Sequence, residues 1–182
     1  MYYANPESKL PGLRGVPIKK DFNKENQDNV IDALRADISN QTINRRKIAA
    51  LAAVGLVDFS LISLFQMGYL KTMPDLPGKL FDSEKVNSSK DAILLGMPDG
   101  VFSLCAYAGT MFLAVAASRK SKYARFFDFV LGGVILGQAA GGTYYLYNMA
   151  TVQKKVCIYC VAGACINFAA VKSYLSIIIA KD

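Results

Sequence analysis

The sequence predicts an all-α fold, a polytopic membrane four-helix bundle, and three observations support this. First, 53% of the 182 residues are hydrophobic and 19% are charged, a low charged fraction for a soluble domain. Second, the apolar residues form four runs, at residues 48–70, 100–117, 126–149 and 156–180. Third, each run approaches or exceeds the ~20 residues that a helix needs to cross a bilayer, and all are too long for strands.

The basic residues predict how these four helices are oriented. Fourteen Lys and Arg lie before the first run, between the second and third, or after the fourth, and six lie on the opposite side. Because the cytoplasmic side carries the excess, both termini are expected there. We therefore interpret the formal charge of +7 as a topology signal and not as nucleic-acid binding. The expected location is a bacterial inner membrane or an organellar equivalent.

The polar segment before the first run predicts a separate N-terminal region, residues 1–46, ahead of a transmembrane domain at residues 47–182. Because the first apolar run begins near residue 48, too late for a secretory signal, we expect it to stay as a membrane helix. Residues 24–40 predict an amphipathic helix, which would lie on the membrane or dock a partner. Its apolar face comprises Val30, Ile31, Leu34 and Ile38.

The long connection between the first two runs contains a further helical pattern. Residues 83–96 predict a short helix at the membrane interface, which Gly96 would end. Pro98 forces a new start, and Asp99 then lies at the N-terminus of the next membrane helix, where a carboxylate suits the helix dipole.

Two of the four cysteines, Cys157 and Cys160, form a Cys-x-x-Cys pair where the fourth run begins. Zinc is disfavoured, because the chain has no His and no second such pair. A dithiol/disulfide pair fits better, since the helix N-terminus would favour the Cys157 thiolate. Two small, inert residues remain the alternative. Cys105 and Cys165 lie inside apolar runs and are predicted to contribute to packing only, with a resolving or redox-sensing role as the alternative.

Together these features resemble the vitamin K epoxide reductase family over about residues 46–180. The stretch "CIYCVAGACIN" is similar to that family's redox helix, with Asn167 seven residues after the second cysteine. "VNSSKDAILLGMP" is similar to its half-helix, with Ser88 or Ser89 at the family's serine. The resemblance implies a bundle around a quinone pocket, in which Cys160 lies next to the quinone and Cys157 exchanges with other thiols.

The chain also departs from that family. Typical members carry two further cysteines in the first loop, which relay electrons from a thioredoxin-like partner. Where the second should fall, this chain has Asp82, Ser83 and Glu84, and Ala164 replaces a tyrosine found in some animal members. Two hypotheses follow: a quinone-linked thiol oxidoreductase that a thiol protein would have to reach directly, or a catalytically degenerate member within a larger membrane complex.

Polar and aromatic residues near the cysteine pair are candidates for binding the quinone. An apolar site with a few placed polar groups is typical of small-molecule pockets. A belt of aromatic residues at the membrane interface is the alternative for the tyrosines. The candidates are Ser89, Tyr144, Tyr145, Tyr147 and Asn148.

Two further patterns make predictions about packing. Gly133, Gly137 and Gly141 are spaced by four residues, which predicts a flat stripe where another helix approaches closely. Asp58 and Lys172 lie inside apolar runs, about 16 Å and about 14 Å from the cytoplasmic boundary by helix rise. Since a lone charge is costly there, we predict that these two residues form an ion pair. In the alternative, Lys172 snorkels towards the cytoplasm.

Overall fold

The structure is a computed structural model, which describes residue 32 and residues 35–116 and 123–179. The predicted amphipathic helix over residues 24–40 lies largely outside the described residues, including Val30, Ile31 and Leu34. The division between residues 46 and 47 stays a prediction. We describe the membrane-spanning unit, which begins at Ser39.

Four long helices and one short helix make up this unit, which confirms the predicted all-α bundle. The long helices, α1, α3, α4 and α5, are long and apolar enough to cross a membrane. The half-helix, α2, lies in the connection between α1 and α3. Their bounds are α1 Asn40–Gln66, α2 Ser83–Asn87, α3 Asp99–Ala116, α4 Ala124–Asn148 and α5 Ile158–Ile179.

The first helix begins earlier than its apolar run. Ser39 caps α1, because its side chain accepts a hydrogen bond from the Thr42 N–H at 3.4 Å. Residues 40–47, which are polar apart from Ile43, therefore form the first two turns of α1.

The connection between α1 and α3 also differs from the prediction. The helix predicted over residues 83–96 ends at Asn87, and a short 3-10 turn follows at Lys90–Ala92. Two antiparallel strands then form a hairpin, β1 (Ile93–Leu94) and β2 (Met97–Pro98). Leu95 and Gly96 turn the hairpin with φ of 54° and 80°. A glycine adopts this left-handed conformation without strain, which explains why Gly96 turns a hairpin here instead of ending a helix.

The four long helices pack as a ring in which α1 lies against α3 and α5, and α4 lies against α5 and α3. The main hydrophobic cluster fills the end of the bundle that holds the N-terminus of α1. Its buried members are Ile48, Leu113, Ala114, Leu131, Ile135, Ala170, Tyr174 and Ile177. The other end of the bundle carries the half-helix and the cysteine pair.

The predicted glycine stripe of α4 is not a helix contact. A Cβ placed on Gly133, Gly137 or Gly141 would meet no described atom within 4 Å, so that prediction was wrong. The close approaches occur elsewhere: a Cβ on Gly55 of α1 would lie 2.5 Å from the Tyr107 ring. Spacing along a helix reveals that small residues share a face, but not which neighbour that face meets.

The predicted pair of Asp58 and Lys172 is also wrong, because the described residues form no ion pair between them. Asp58 Oδ2 lies 3.6 Å from the Cβ position of Gly163, and Lys172 is exposed nine residues further along α5. Nine residues of helix are about 13 Å, so the two charges lie at different depths. The prediction assumed that both apolar runs end in one plane, and the packing of α1 on α5 does not follow that register.

A different buried ion pair joins the helices at the end of the bundle that holds the N-terminus of α1. Arg45 of α1 pairs with Asp128 of α4, and the two side chains are only 13% and 12% exposed. The Tyr174 hydroxyl donates to the Asp128 backbone carbonyl at 3.0 Å, which ties α5 to the same point. The pair therefore connects helices that lie across the ring from each other.

We expect this pair to be coupled energetically. Removing one partner leaves a buried charge uncompensated, so Arg45→Met and Asp128→Asn should each lower the free energy of unfolding by about 3–5 kcal/mol. The double variant should lose less than the sum, as measured by denaturation in detergent. The matched control is a cycle of Asp58→Asn and Lys172→Met, which should be additive within about 0.5 kcal/mol. Additivity in the first cycle would contradict the prediction.

Candidate active site

The cysteine pair lies at the start of α5, where the sequence predicted it. Cys157 immediately precedes the helix and Cys160 lies in its first turn, so that the Cys160 N–H donates to the Cys157 sulfur at 3.1 Å. Both are free thiols. Cys157 has no exposed surface, whereas Cys160 is partly exposed. The two sulfurs therefore face different surroundings.

The half-helix α2 covers Cys157 and supplies a polar group that reaches both thiols. The Asn87 Nδ2 donates to the Cys157 sulfur at 3.3 Å, and the Cys160 thiol lies 3.9 Å from Asn87 Oδ1. Asn87 Nδ2 also donates to the Ser83 carbonyl at 2.8 Å, which fixes the amide in place. Sequence reasoning missed Asn87. Its position next to the predicted serines in "VNSS" was the one available signal.

Backbone pairing holds the half-helix over the cysteines. The Val156 N–H donates to the Leu80 carbonyl at 2.9 Å, and the Asp82 N–H donates to the Val156 carbonyl at 3.1 Å. Ser83, the first residue of α2, accepts from the Ile158 N–H through its hydroxyl at 3.3 Å. Lys155 approaches Asp82 at 3.7 Å, a half-exposed ion pair that adds little.

The chain enters this junction through an irregular turn. A π-helical turn, Met149–Gln153, follows α4, and Lys154 then adopts a left-handed conformation with φ of 50°. π-helical turns are rare in proteins, and those that occur are often found at functional sites. The Met149 sulfur accepts from the Cys157 N–H at 3.3 Å, so the turn also closes the pocket around Cys157.

These contacts favour the ionised form of Cys157. The Cys160 thiol is the main cause, and the Cys160 N–H, the Asn87 amide and the Ser83 hydroxyl add to it. Together they outweigh the effect of burial and lower the pKa of the Cys157 thiol. Cys157 is therefore set up as the more acidic thiol of the pair, as expected for a residue that exchanges disulfides.

A cavity of about 490 Å³ opens beside Cys160 between the long helices. Its walls are mostly apolar and include the glycines of α4 that were predicted to pack. Cys160 lines the cavity and Cys157 does not. The lining residues nearest the half-helix are Leu94, Asp99, Tyr145 and Cys160, and those deeper in the bundle include Phe59, Tyr107, Gly137, Gln138 and Asn167.

Polar groups occur at two levels of this cavity. Asp99, Tyr145 and Cys160 form the level under the half-helix, and the second level lies about 10 Å deeper by helix rise. At that second level the Tyr107 hydroxyl donates to Asn167 Oδ1 at 2.7 Å. Asn167 Nδ2 in turn donates to the Gln138 carbonyl at 3.0 Å. The polar groups of the deeper level thus bond to one another or to the backbone, whereas the level beside Cys160 contains a thiol and a carboxyl group.

The exposed residues that line the cavity indicate an opening between α3 and α4. Of its lining residues, Phe102 and Cys105 of α3 and Gly133 and Gly137 of α4 are exposed on the outer face of the bundle. Cys105 and Cys165 were both predicted to have a packing role, and both are exposed. The first faces the mouth of the cavity, because the bundle leaves a gap where these glycines have no side chains.

The predicted quinone-binding residues separate into two groups. Tyr145 lines the cavity, and its hydroxyl donates to the Asp91 carbonyl at 3.3 Å. The other four are not among its lining residues. Tyr144 and Tyr147 are 56% and 65% exposed, Asn148 is buried, and Ser89 accepts a hydrogen bond from Gln153 Nε2 at 3.1 Å. Neighbouring positions on one helix thus point in different directions.

Comparison with known families agrees with this arrangement. No curated protein matches the chain. The profile described as "Vitamin K epoxide reductase family" matches residues 47–174, which include α3, α4, the half-helix, both cysteines of the pair and most of α1 and α5. With its four apolar helices, the chain is an integral membrane protein and belongs to the vitamin K epoxide reductase family.

Proposed function

We propose that this protein is a membrane thiol–disulfide oxidoreductase that passes electrons between the Cys157/Cys160 dithiol and a quinone. One observation carries the proposal: Cys160 lines an apolar cavity inside the bundle, and its sulfur is adjacent to a second thiol that the surroundings make more acidic. A buried dithiol beside a cavity open to lipid suits a substrate dissolved in the membrane.

The residues present fit a quinone. A volume of about 490 Å³ is within the range of small-molecule sites, roughly 300–1,000 Å³, and the walls are mainly apolar. The glycine-lined gap between α3 and α4 would admit a prenyl tail, with the ring under the half-helix. Tyr145 is the polar side chain that would orient the ring beside Cys160.

A bound quinone would accept two electrons and two protons. The chain's own residues would perform the thiol chemistry. Cys157 and Cys160 form one S–S bond as they release two electrons and two protons. Asn87 and Ser83 hold Cys157 in the form that attacks, and the half-helix excludes water from it.

The sealed position of Cys157 favours a second candidate function. A thiol protein would have to reach Cys157 directly, but that residue has no exposed surface and Ser83 stands beside it where a relay cysteine would be expected. An accessory subunit of a larger membrane complex would need no such access. For an active enzyme, the half-helix would have to move aside during exchange with a thiol partner.

The proposal also includes the orientation of the protein in the membrane. With both termini cytoplasmic, the half-helix and the cysteine pair would lie on the opposite, oxidising side of the membrane, where disulfide chemistry persists. The four-helix topology supports this, because an even number of spans places both termini on one side.

The decisive experiment measures quinone reduction in lipid nanodiscs, with a short-chain quinone and a membrane-permeant dithiol as the electron source. We expect the unmodified protein to be active, Cys160→Ser to fall to background and Cys165→Ser to keep its activity. Gly137→Leu should fold but lose activity, because its side chain would enter the cavity, where a Cβ meets nothing within 4 Å. An inactive unmodified protein that co-purifies with a complex would support the accessory role.

The acidity of Cys157 gives a second prediction. Asn87→Ala removes one donor to the Cys157 sulfur and should raise the pKa of Cys157 relative to that of the unmodified protein. The measurement is thiolate absorbance at 240 nm during a pH titration, in a background with Cys105 and Cys165 replaced by Ser. Ser88→Ala is the matched control, since Ser88 is the exposed next residue. Identical titrations of the two variants would contradict the prediction.

The same pKa shift has a consequence for stability. Because the pKa of Cys157 is lower in the folded than in the unfolded chain, ionised Cys157 stabilises the fold. This contribution is complete above the unfolded-state pKa and is lost as the pH falls through the folded-state pKa. Cys157→Ser should remove this part of the pH dependence of unfolding.

The position of Ser83 gives a further prediction. Its hydroxyl interacts with Cys157, so a sulfur placed there would lie next to the acidic thiol. Ser83→Cys should therefore form a disulfide with Cys157 under mild oxidation, and peptide mass spectrometry would identify it. Ser88→Cys, which is exposed on the same short segment, should not. If both variants gave equal amounts of cross-link, the half-helix would not be fixed over Cys157.

A further inference from the structure

A buried carboxyl group lies at the cavity level of Cys160. Asp99 is the first residue of α3, is 7% exposed and lines the cavity together with Cys160 and Tyr145. An ionisable side chain inside a membrane bundle is rare, because its burial is costly. Its place in an otherwise apolar cavity therefore requires an explanation.

Hydrogen bonds to the end of α1 hold this carboxyl in place. The Gln66 Nε2 donates to Asp99 Oδ1 at 2.5 Å, and Gln66 Oε1 accepts the Gly100 N–H at 3.0 Å. Gln66 Nε2 also lies 3.3 Å from the Asn87 carbonyl, so one amide connects Asp99 to the half-helix. The carboxyl is thus oriented by the same segment that covers the thiols.

The groups that face Asp99 are suited to proton transfer. No Lys or Arg pairs with it in the described part of the chain. The titratable groups that interact with it are Tyr145 of α4 and Cys160 of α5, and α1 contributes the Gln66 amide. Asp58 of α1 also interacts with Cys160, but it does not line the cavity. An uncompensated carboxyl beside a thiol is able to accept that thiol's proton and to release it again.

We propose that Asp99 is the proton carrier of the site, which accepts the proton of the Cys160 thiol and donates it to the nearer quinone oxygen. This inference rests on the proposed function. As the Cys157–Cys160 bond forms, the dithiol loses two electrons and two protons, and the quinone gains both pairs. Asp99 transfers one of these protons and is unchanged at the end of the cycle. Tyr145, on the same level, orients the quinone oxygen towards it.

A purely structural role would be capping of α3, and one substitution separates the two roles. Asn is as good a helix cap as Asp but transfers no proton. Asp99→Asn should therefore keep the thermal stability of the protein in detergent and its affinity for a short-chain quinone, followed by quenching of tyrosine fluorescence. Its rate of quinone reduction should fall about 100-fold or more, the usual contribution of a general acid or base.

Two further variants and one further readout complete the experiment. Asp99→Glu should recover part of the rate, and Asp91→Asn, a carboxyl outside the cavity, should match the unmodified protein. Infrared difference spectra on quinone addition should show a carboxyl band that Asp99→Asn removes and Asp91→Asn keeps. If Asp99→Asn is as fast as the unmodified protein, or leaves the band unchanged, the inference fails and the proposed function stands. If the unmodified protein neither binds nor reduces quinone, the proposed function itself fails.

Discussion

The end of the bundle that holds the cysteine pair depends on how the chain pairs its backbone where the half-helix meets the start of α5. Backbone groups near a bilayer need partners inside the protein, because lipid offers none. Val156 provides them by bonding to Leu80 and Asp82 across the junction. This short contact brings α2 over Cys157, which places Asn87 against both sulfurs. Without this backbone contact, Cys157, the more acidic thiol of the pair, would be open to water.

The two ends of the bundle serve different purposes. One end is filled by the hydrophobic cluster and joined by the ion pair of Arg45 and Asp128, so it sets the arrangement of the helices. The other end is left partly open, because the glycines of α4 supply no side chains where α3 and α4 diverge. As a result, Cys160 lies in the wall of the cavity, while Cys157 has no exposed surface.

Gln66 couples the features that the proposals require. Its amide contacts the Asp99 carboxyl, the start of α3 and the last residue of the half-helix. A movement of the half-helix that exposed Cys157 would therefore also disturb Asp99. In the proposed reaction, thiol exchange and proton transfer are linked through this one side chain, which gives a role to a partly buried polar residue at the end of an apolar helix.

Hydropathy, charge and cysteine spacing determined the four spans and the place of the cysteine pair, because these follow from the order of residues along one element. The half-helix begins where it was predicted, at Ser83, but it ends at Asn87, well before Gly96. Only the tertiary structure decided which side chains meet. Asn87 and Cys157 are 70 positions apart, and no local pattern links them. Nor does periodicity specify how a helix is rotated or shifted against its neighbours, which is why the pair of Asp58 and Lys172 was wrong. For the same reason, the faces of neighbouring tyrosines on α4 could be assigned only once the helices had packed.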